Sequence, residues 1–179
     1  MAAKAIGQFE RSLISSGNSI FDRVSRNELS YTDEEALGES LFFDLEDGSP
    51  DAECNHCHQP PLFTSNQFLS NGLENVASYS DFTDQGHGEV TGIPQDIGRF
   101  RVPTLRNIEL TGPYMHDGRF ETLEEVIEHY NSGGHFFENI DPNMRPLELN
   151  EEQKSALIAF LKTLTDSEFV ENERFSNPF

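Results

Sequence analysis

Cys54, Asn55, His56, Cys57 and His58 form a C-x-x-C-H run that holds both cysteines of the 179-residue chain. Two thiols at this spacing can reach the two vinyl groups on one edge of a porphyrin. The adjacent imidazole can then turn beneath the ring and offer a neutral nitrogen to iron. The pattern is the attachment signature of a c-type haem, with Cys54 and Cys57 as thioether donors and His58 as proximal axial ligand. Two other chemistries compete for these residues. A redox dithiol would use Cys54 and Cys57 between a strand and a helix, and nothing before Cys54 resembles that strand. A zinc site would need further ligands, and no second C-x-x-C or H-x3-H pair supplies them.

The elements that must position this motif read as helices. Ile6, Phe9, Leu13 and Ile14 recur at helical spacing, and the stretch 15–19, rich in serine and glycine, breaks the run. Thr32 followed by Glu35 is a capping-box pattern ahead of Ala36, Leu37, Leu41 and Phe42. This helix delivers the chain to an acidic loop and then to Cys54. Thr122 with Glu125 opens another helix through Leu123, Val126, Ile127 and Tyr130, ended by Gly133 and Gly134. Asn150 with Gln153 caps a last one carrying Ala156, Leu157, Phe160, Leu161 and Leu164. The expected fold is all-α, a single domain over 1–179 with neither internal repeats nor a second domain.

Residues 60–97 lose periodicity, and a segment of that length in a compact domain points to a loop that wraps a ligand. Phe63, Phe68, Leu69, Leu73 and Phe82 are candidate walls of a haem pocket, with satellite core packing as the alternative. Arg106, in a loop of clustered Arg, His and Asp, could bind a haem propionate by a forked contact or serve as an ion pair. Tyr130, on the apolar face of its helix, is either a buried phenol hydrogen-bonded to backbone or an iron ligand.

Twelve basic against thirty-two acidic residues give a formal charge of -20. Such a field repels nucleic acid and anionic membranes and favours basic docking partners. No apolar run is long enough to span a bilayer. Fifteen phenylalanines without tryptophan suit packing around a large flat cofactor or an ordinary aromatic core. Covalent haem attachment implies an oxidising, periplasmic or otherwise extracytoplasmic compartment. No export signal follows Met1, so the chain reads as a processed protein or an excised piece.

The runs Phe100-Arg101-Val102-Pro103-Thr104-Leu105-Arg106-Asn107 and Thr111-Gly112-Pro113-Tyr114-Met115-His116-Asp117-Gly118 carry a family resemblance. Together with 54–58 upstream, 123–134 downstream and the flanking stretches 9–15 and 144–147, they resemble the C-terminal half of bacterial di-haem cytochrome c peroxidases and their MauG-like relatives. That resemblance implies a cytochrome c-type domain with long haem-wrapping loops, the C-terminal domain of a longer two-haem protein. It implies one covalent haem c held by Cys54, Cys57 and His58. The distal ligand aligns with Tyr130, a position that is methionine in typical peroxidases and tyrosine in MauG-like proteins. Met115 is the alternative distal ligand, and Met144 a weaker one. Arg106 is assigned to a propionate or to contacts between domains. The backbone carbonyls of Thr111 and Pro113 correspond to ligands of an interdomain calcium ion, whose shell two carbonyls cannot complete.

By the same resemblance the domain relays electrons to or from a peroxide-reactive haem in an N-terminal domain, and exchanges them with an external donor or protein substrate. With both axial positions filled, hydrogen peroxide reacts only at the partner haem. This chain then contains no catalytic residues and by itself is a poor peroxidase. The competing readings are a self-contained mono-haem peroxidase and an apo or structural fragment.

Overall fold

The computed structural model describes residues 2–45 and 52–176. Among the described residues seven α-helices and one small ribbon follow in chain order: α1 (Ala2–Glu10), α2 (Ile20–Ser25), α3 (Asp33–Phe43), β1 (Phe68–Leu69), α4 (His87–Thr91), β2 (Phe100–Arg101), α5 (Leu123–Ser132), α6 (Glu151–Lys162) and α7 (Ser167–Val170). β1 and β2 pair antiparallel, with Phe68 opposite Arg101 and Leu69 opposite Phe100. The architecture is the predominantly helical one expected. The acidic loop expected before Cys54 falls largely on 46–51, outside the described residues.

The three capping boxes read from sequence start α3, α5 and α6. Glu35 N donates to Thr32 Oγ1 at 3.3 Å while Thr32 N donates to Glu35 Oε2 at 2.8 Å. Thr122 with Glu125 and Asn150 with Gln153 repeat the exchange. Each box satisfies backbone donors that the first helical turn leaves open. Gly133, at φ 82°, closes α5 in the left-handed conformation that glycine adopts without steric cost.

A fourth box, Ser19 with Asp22, starts the unanticipated helix α2. The stretch read as a helix breaker is non-helical, and it also serves as a strap. Ser15 Oγ, Ser16 Oγ and Gly17 N all donate to the buried carboxylate of Asp166, at 2.5, 2.6 and 3.1 Å. Of the apolar stripe, Ile6 and Phe9 lie in α1, which ends at Glu10 before Leu13 and Ile14, and they do not join the core: they remain 57% and 54% exposed.

α3 crosses α6 at Gly38, where a Cβ would collide with the Ala156 carbonyl. That close approach lets Leu41 and Phe42 pack on Leu157 and Phe160. Phe63, from the loop after the C-x-x-C-H run, inserts fully buried into the same cluster. Its ring lies 4.8 Å from Phe21, 5.8 Å from Phe42 and 6.4 Å from Phe160, edge-on or tilted as aromatic quadrupoles prefer.

The span 60–97 is less irregular than its sequence suggests, since it contains β1, α4 and two short 3-10 turns. Of the candidate wall residues, Phe63 and Leu73 are buried. Phe68 is exposed and stacks on His87, and Phe82 packs edge-on against Phe137 in a separate cluster. Among the described residues no helix is long and apolar enough to cross a membrane.

Candidate haem site

The C-x-x-C-H run begins as one 3-10 turn, Cys54–His56, closed by His58 N donating to the Cys54 carbonyl at 2.9 Å. Two bonds tie it to α3: Ala52 N to the Leu41 carbonyl at 3.0 Å and Asn55 Nδ2 to the Phe43 carbonyl at 3.4 Å. Glu53, whose φ of 46° marks the turn into the motif, meets the Arg145 guanidinium at 3.3 Å. Burial, then the nearby Asp141 carboxylate, pushes the Cys57 thiol above its ordinary pKa.

His58 is partly buried, and its Nδ1 lies 2.9 Å from the Phe63 carbonyl. A carbonyl only accepts, so Nδ1 carries the proton and Nε2 the lone pair. Burial lowers the imidazole pKa, and the Phe63 and Pro103 carbonyls partly offset it. The outcome is a neutral ring in the tautomer a metal requires, with a carbonyl orienting it from behind. Phe63 therefore has two functions. Its ring anchors the loop in the core, and its main chain sets the histidine.

Tyr130 and Met115 converge on a residue that the sequence did not single out. Asn71 Nδ2 lies 3.4 Å from Tyr130 Oη and 3.5 Å from Met115 Sδ. Tyr130 leans on the same core as Cys54, and its phenol is close enough to Cys54 and Cys57 to feel charge on either sulfur. Burial pushes the phenol pKa up, the Asn71 amide pulls it down, and thiolate charge at the two cysteines would raise it further. Met115 is held at φ 72°, unusual for a side chain of its size, beside His116, which stacks on Phe100 at 3.6 Å. Met144 is partly buried in the turn that follows Asp141.

Arg106 is occupied elsewhere. Its two terminal nitrogens each approach Asp22 at 2.8 Å, Nη1 also donates to Ser19 Oγ at 3.1 Å, and Nε donates to the Pro61 carbonyl at 2.8 Å. The guanidinium rests over the rings of Phe21 and Phe63, 5.5 and 5.3 Å from their centroids. These bonds commit four of its five N–H groups within the domain, behind the residue that orients His58. Thr111 and Pro113 are exposed, and among the described residues no donor takes either carbonyl.

Two thiols with an adjacent neutral imidazole, and a phenol near enough to feel charge on those sulfurs, are a donor set that fits a covalently attached haem. Such a site on a helical scaffold with long loops defines a c-type cytochrome domain. The comparisons narrow the class. The family model for di-haem cytochrome c peroxidase matches residues 32–174. Cytochrome-c peroxidase IdrP1 of Pseudomonas sp. is 30% identical over 194 residues, covering 93% of this chain and 50% of that protein. Methylamine utilization protein MauG of Methylorubrum extorquens is 33% identical over 162 residues, covering 89% and 42%. A crystal structure of a MauG-like protein associated with microbial copper homeostasis superposes with a TM-score of 0.78 at 34% identity, over 91% of this chain and 52% of that one. The diheme peroxidase BthA from Burkholderia thailandensis shares the fold, with a TM-score of 0.70 at 22% identity.

The chain belongs to the di-haem cytochrome c peroxidase family, MauG-like proteins included, and is an electron-transfer haem domain of it. It spans about half the length of the curated relatives it matches. Membership implies a covalent c-type haem.

Proposed function

We propose that this chain is the C-terminal, electron-relaying domain of a two-haem oxidoreductase. In this reading Cys54 and Cys57 would attach its one haem c, and His58 Nε2 and Tyr130 Oη would hold the iron. The observation that carries the reading is an oriented imidazole beside the pair of thiols, with a phenol close enough to feel charge on both sulfurs. Haem iron, when bound, supplies a one-electron ferric–ferrous couple.

The protein's own groups set how that couple behaves. The Phe63 carbonyl holds the His58 proton on Nδ1, which raises the basicity of Nε2. Tyr130 must lose its proton to bind as phenolate. Burial opposes that loss, so ferric charge and the Asn71 N–H have to favour it. A phenolate favours ferric iron, whereas Met115 in its place would favour ferrous iron and a higher potential. With His58 and Tyr130 both holding the iron, hydrogen peroxide would find no open position here and would react in the N-terminal haem domain.

A net charge of -20 suits a basic external donor or protein substrate. The Thr111 and Pro113 carbonyls are the chain's share of an interdomain calcium ion. Attachment of haem c places the protein in the periplasm or another extracytoplasmic space. Peroxide turnover tests the relay. The haem-loaded chain alone should turn over peroxide slowly, and the chain joined to a second haem domain should do so much faster. Equal, rapid turnover by the chain alone would establish a self-contained peroxidase instead.

A further inference from the structure

We infer that Asn71 is the positioning residue that selects Tyr130 over Met115 as the distal atom. This rests on the axial assignment proposed above and adds what decides it. A primary amide carries two N–H bonds pointing in different directions, so one nitrogen can serve two acceptors at once. Here those acceptors are Tyr130 Oη at 3.4 Å and Met115 Sδ at 3.5 Å, from residues 59 and 44 positions away in the chain. No other described side chain is hydrogen-bonded to both.

The main chain that carries this amide is held against the helix it serves. His129 Nε2 donates to the Asn71 main-chain carbonyl at 2.9 Å, and His129 immediately precedes Tyr130 in α5. The next residue, Gly72, accepts from His135 N at 2.7 Å. Gly134 lets these backbones meet, because a Cβ there would stand 2.9 Å from the Asn71 carbonyl oxygen. The backbone at Asn71 is thus fixed relative to the end of α5, which sets the amide within reach of Tyr130.

Selection follows from acceptor chemistry. An N–H donated to a phenolate oxygen is charge-assisted and strong, and the same group donated to a thioether is weak. The amide therefore favours the state in which the phenol is ionised and metal-bound. Its second N–H engages a lone pair of the Met115 sulfur and keeps it from competing. Loss of both N–H groups should lower the ratio of phenolate-ligated to thioether-ligated ferric protein about tenfold or more, the worth of one hydrogen bond to a charged acceptor.

The test is electron paramagnetic resonance and optical spectroscopy of the haem-loaded ferric protein. Its variants are Tyr130→Phe, Asn71→Leu, Asn71→Asp, Asn71→Gln and the double variant Asn71→Leu/Met115→Leu. Asn71→Asp keeps the shape and the backbone bond to His129 but lacks the donor, so it decides the matter if Asn71→Leu does not fold. The expected result is loss of the phenolate signature in Tyr130→Phe, and partial replacement by a thioether signature in Asn71→Leu and Asn71→Asp. The signature should be largely retained in Asn71→Gln, and the thioether signal should disappear in the double variant. A wild-type signature in both donor-less variants, alongside its loss in Tyr130→Phe, overturns the role of Asn71 and leaves tyrosine ligation standing. An unchanged spectrum in Tyr130→Phe overturns tyrosine ligation and this inference together.

Discussion

The two sides of the candidate haem site are built in opposite ways. On the His58 side, five consecutive residues fold as a turn, and a fully buried phenylalanine fastens that turn to the α3–α6 core. On the Tyr130 side, three residues from distant parts of the chain meet through one amide at 3.4 and 3.5 Å. A contiguous motif set in a packed core is insensitive to small changes elsewhere. A ligand selected by one long-range polar contact can be exchanged by a single substitution. The difference suggests why a family could keep its attachment motif while varying the distal atom: changing the distal side does not require repacking the core.

That contrast can be broken most severely at Phe63. Phe63→Ala removes a fully buried ring from the centre of the aromatic cluster, and should cost about 3–5 kcal/mol in urea unfolding. It should also loosen His58, which is visible as weakened axial histidine ligation. If haem ligation survives while stability falls, the buried ring is not needed to hold the Phe63 carbonyl against His58.

Asp22→Asn should cost about 1.5–3 kcal/mol, because it leaves the Arg106 guanidinium half-satisfied beneath a closed surface. The same carboxylate contributes to acid sensitivity. Burial alone would raise the Asp22 pKa, but the bonds from Arg106 and Ser19 hold it below the ordinary value of 3.8. Asp166, bonded by Ser15, Ser16 and two backbone N–H groups, is lowered in the same sense. A depressed folded pKa means the unfolded chain binds protons first. The contribution of these two groups is therefore complete above pH 3.8 and lost as pH falls through their folded values. Asp22→Asn should flatten that acid limb in melts across pH, and an unchanged limb would exclude the ion pair as a source of acid sensitivity.

Gly38→Ala should cost about 1–3 kcal/mol, since α3 and α6 would have to separate to admit the methyl group. Thr122→Ala, on the distal side, should cost only about 1 kcal/mol through the lost cap of α5. Calorimetry on both reports whether the two sides differ as described. A larger loss at Thr122 than at Gly38 would mean that α5, and with it the distal side, carries more of the stability than the α3–α6 crossing.

Local signals were legible in the sequence and distant ones were not. The attachment motif and the boxes at Thr32, Thr122 and Asn150 need only neighbours within a few residues, so their patterns survive in one dimension. The box at Ser19 was masked by the serine-rich strap before it and by aspartate in the third position, where glutamate is the stronger sign. The partnership of Arg106 with Asp22 spans 84 positions, and that of His129 with Asn71 spans 58. No spacing rule reaches so far. Asn71 looked like any loop asparagine. The second role of Phe63 belongs to a carbonyl that every residue possesses, so side-chain pattern could not report it. The stripe of α1 was readable as a helix, yet its exposure depends on what the rest of the fold leaves uncovered.

The axial pair of His58 and Tyr130 is tested most directly by resonance Raman spectroscopy of the haem-loaded ferric protein, prepared with ordinary and with ring-deuterated tyrosine. The expected result is a set of metal-bound phenolate modes that shift on deuteration and vanish in Tyr130→Phe. A spectrum without phenolate modes, or with modes that persist in that variant, would contradict Tyr130 as the distal atom.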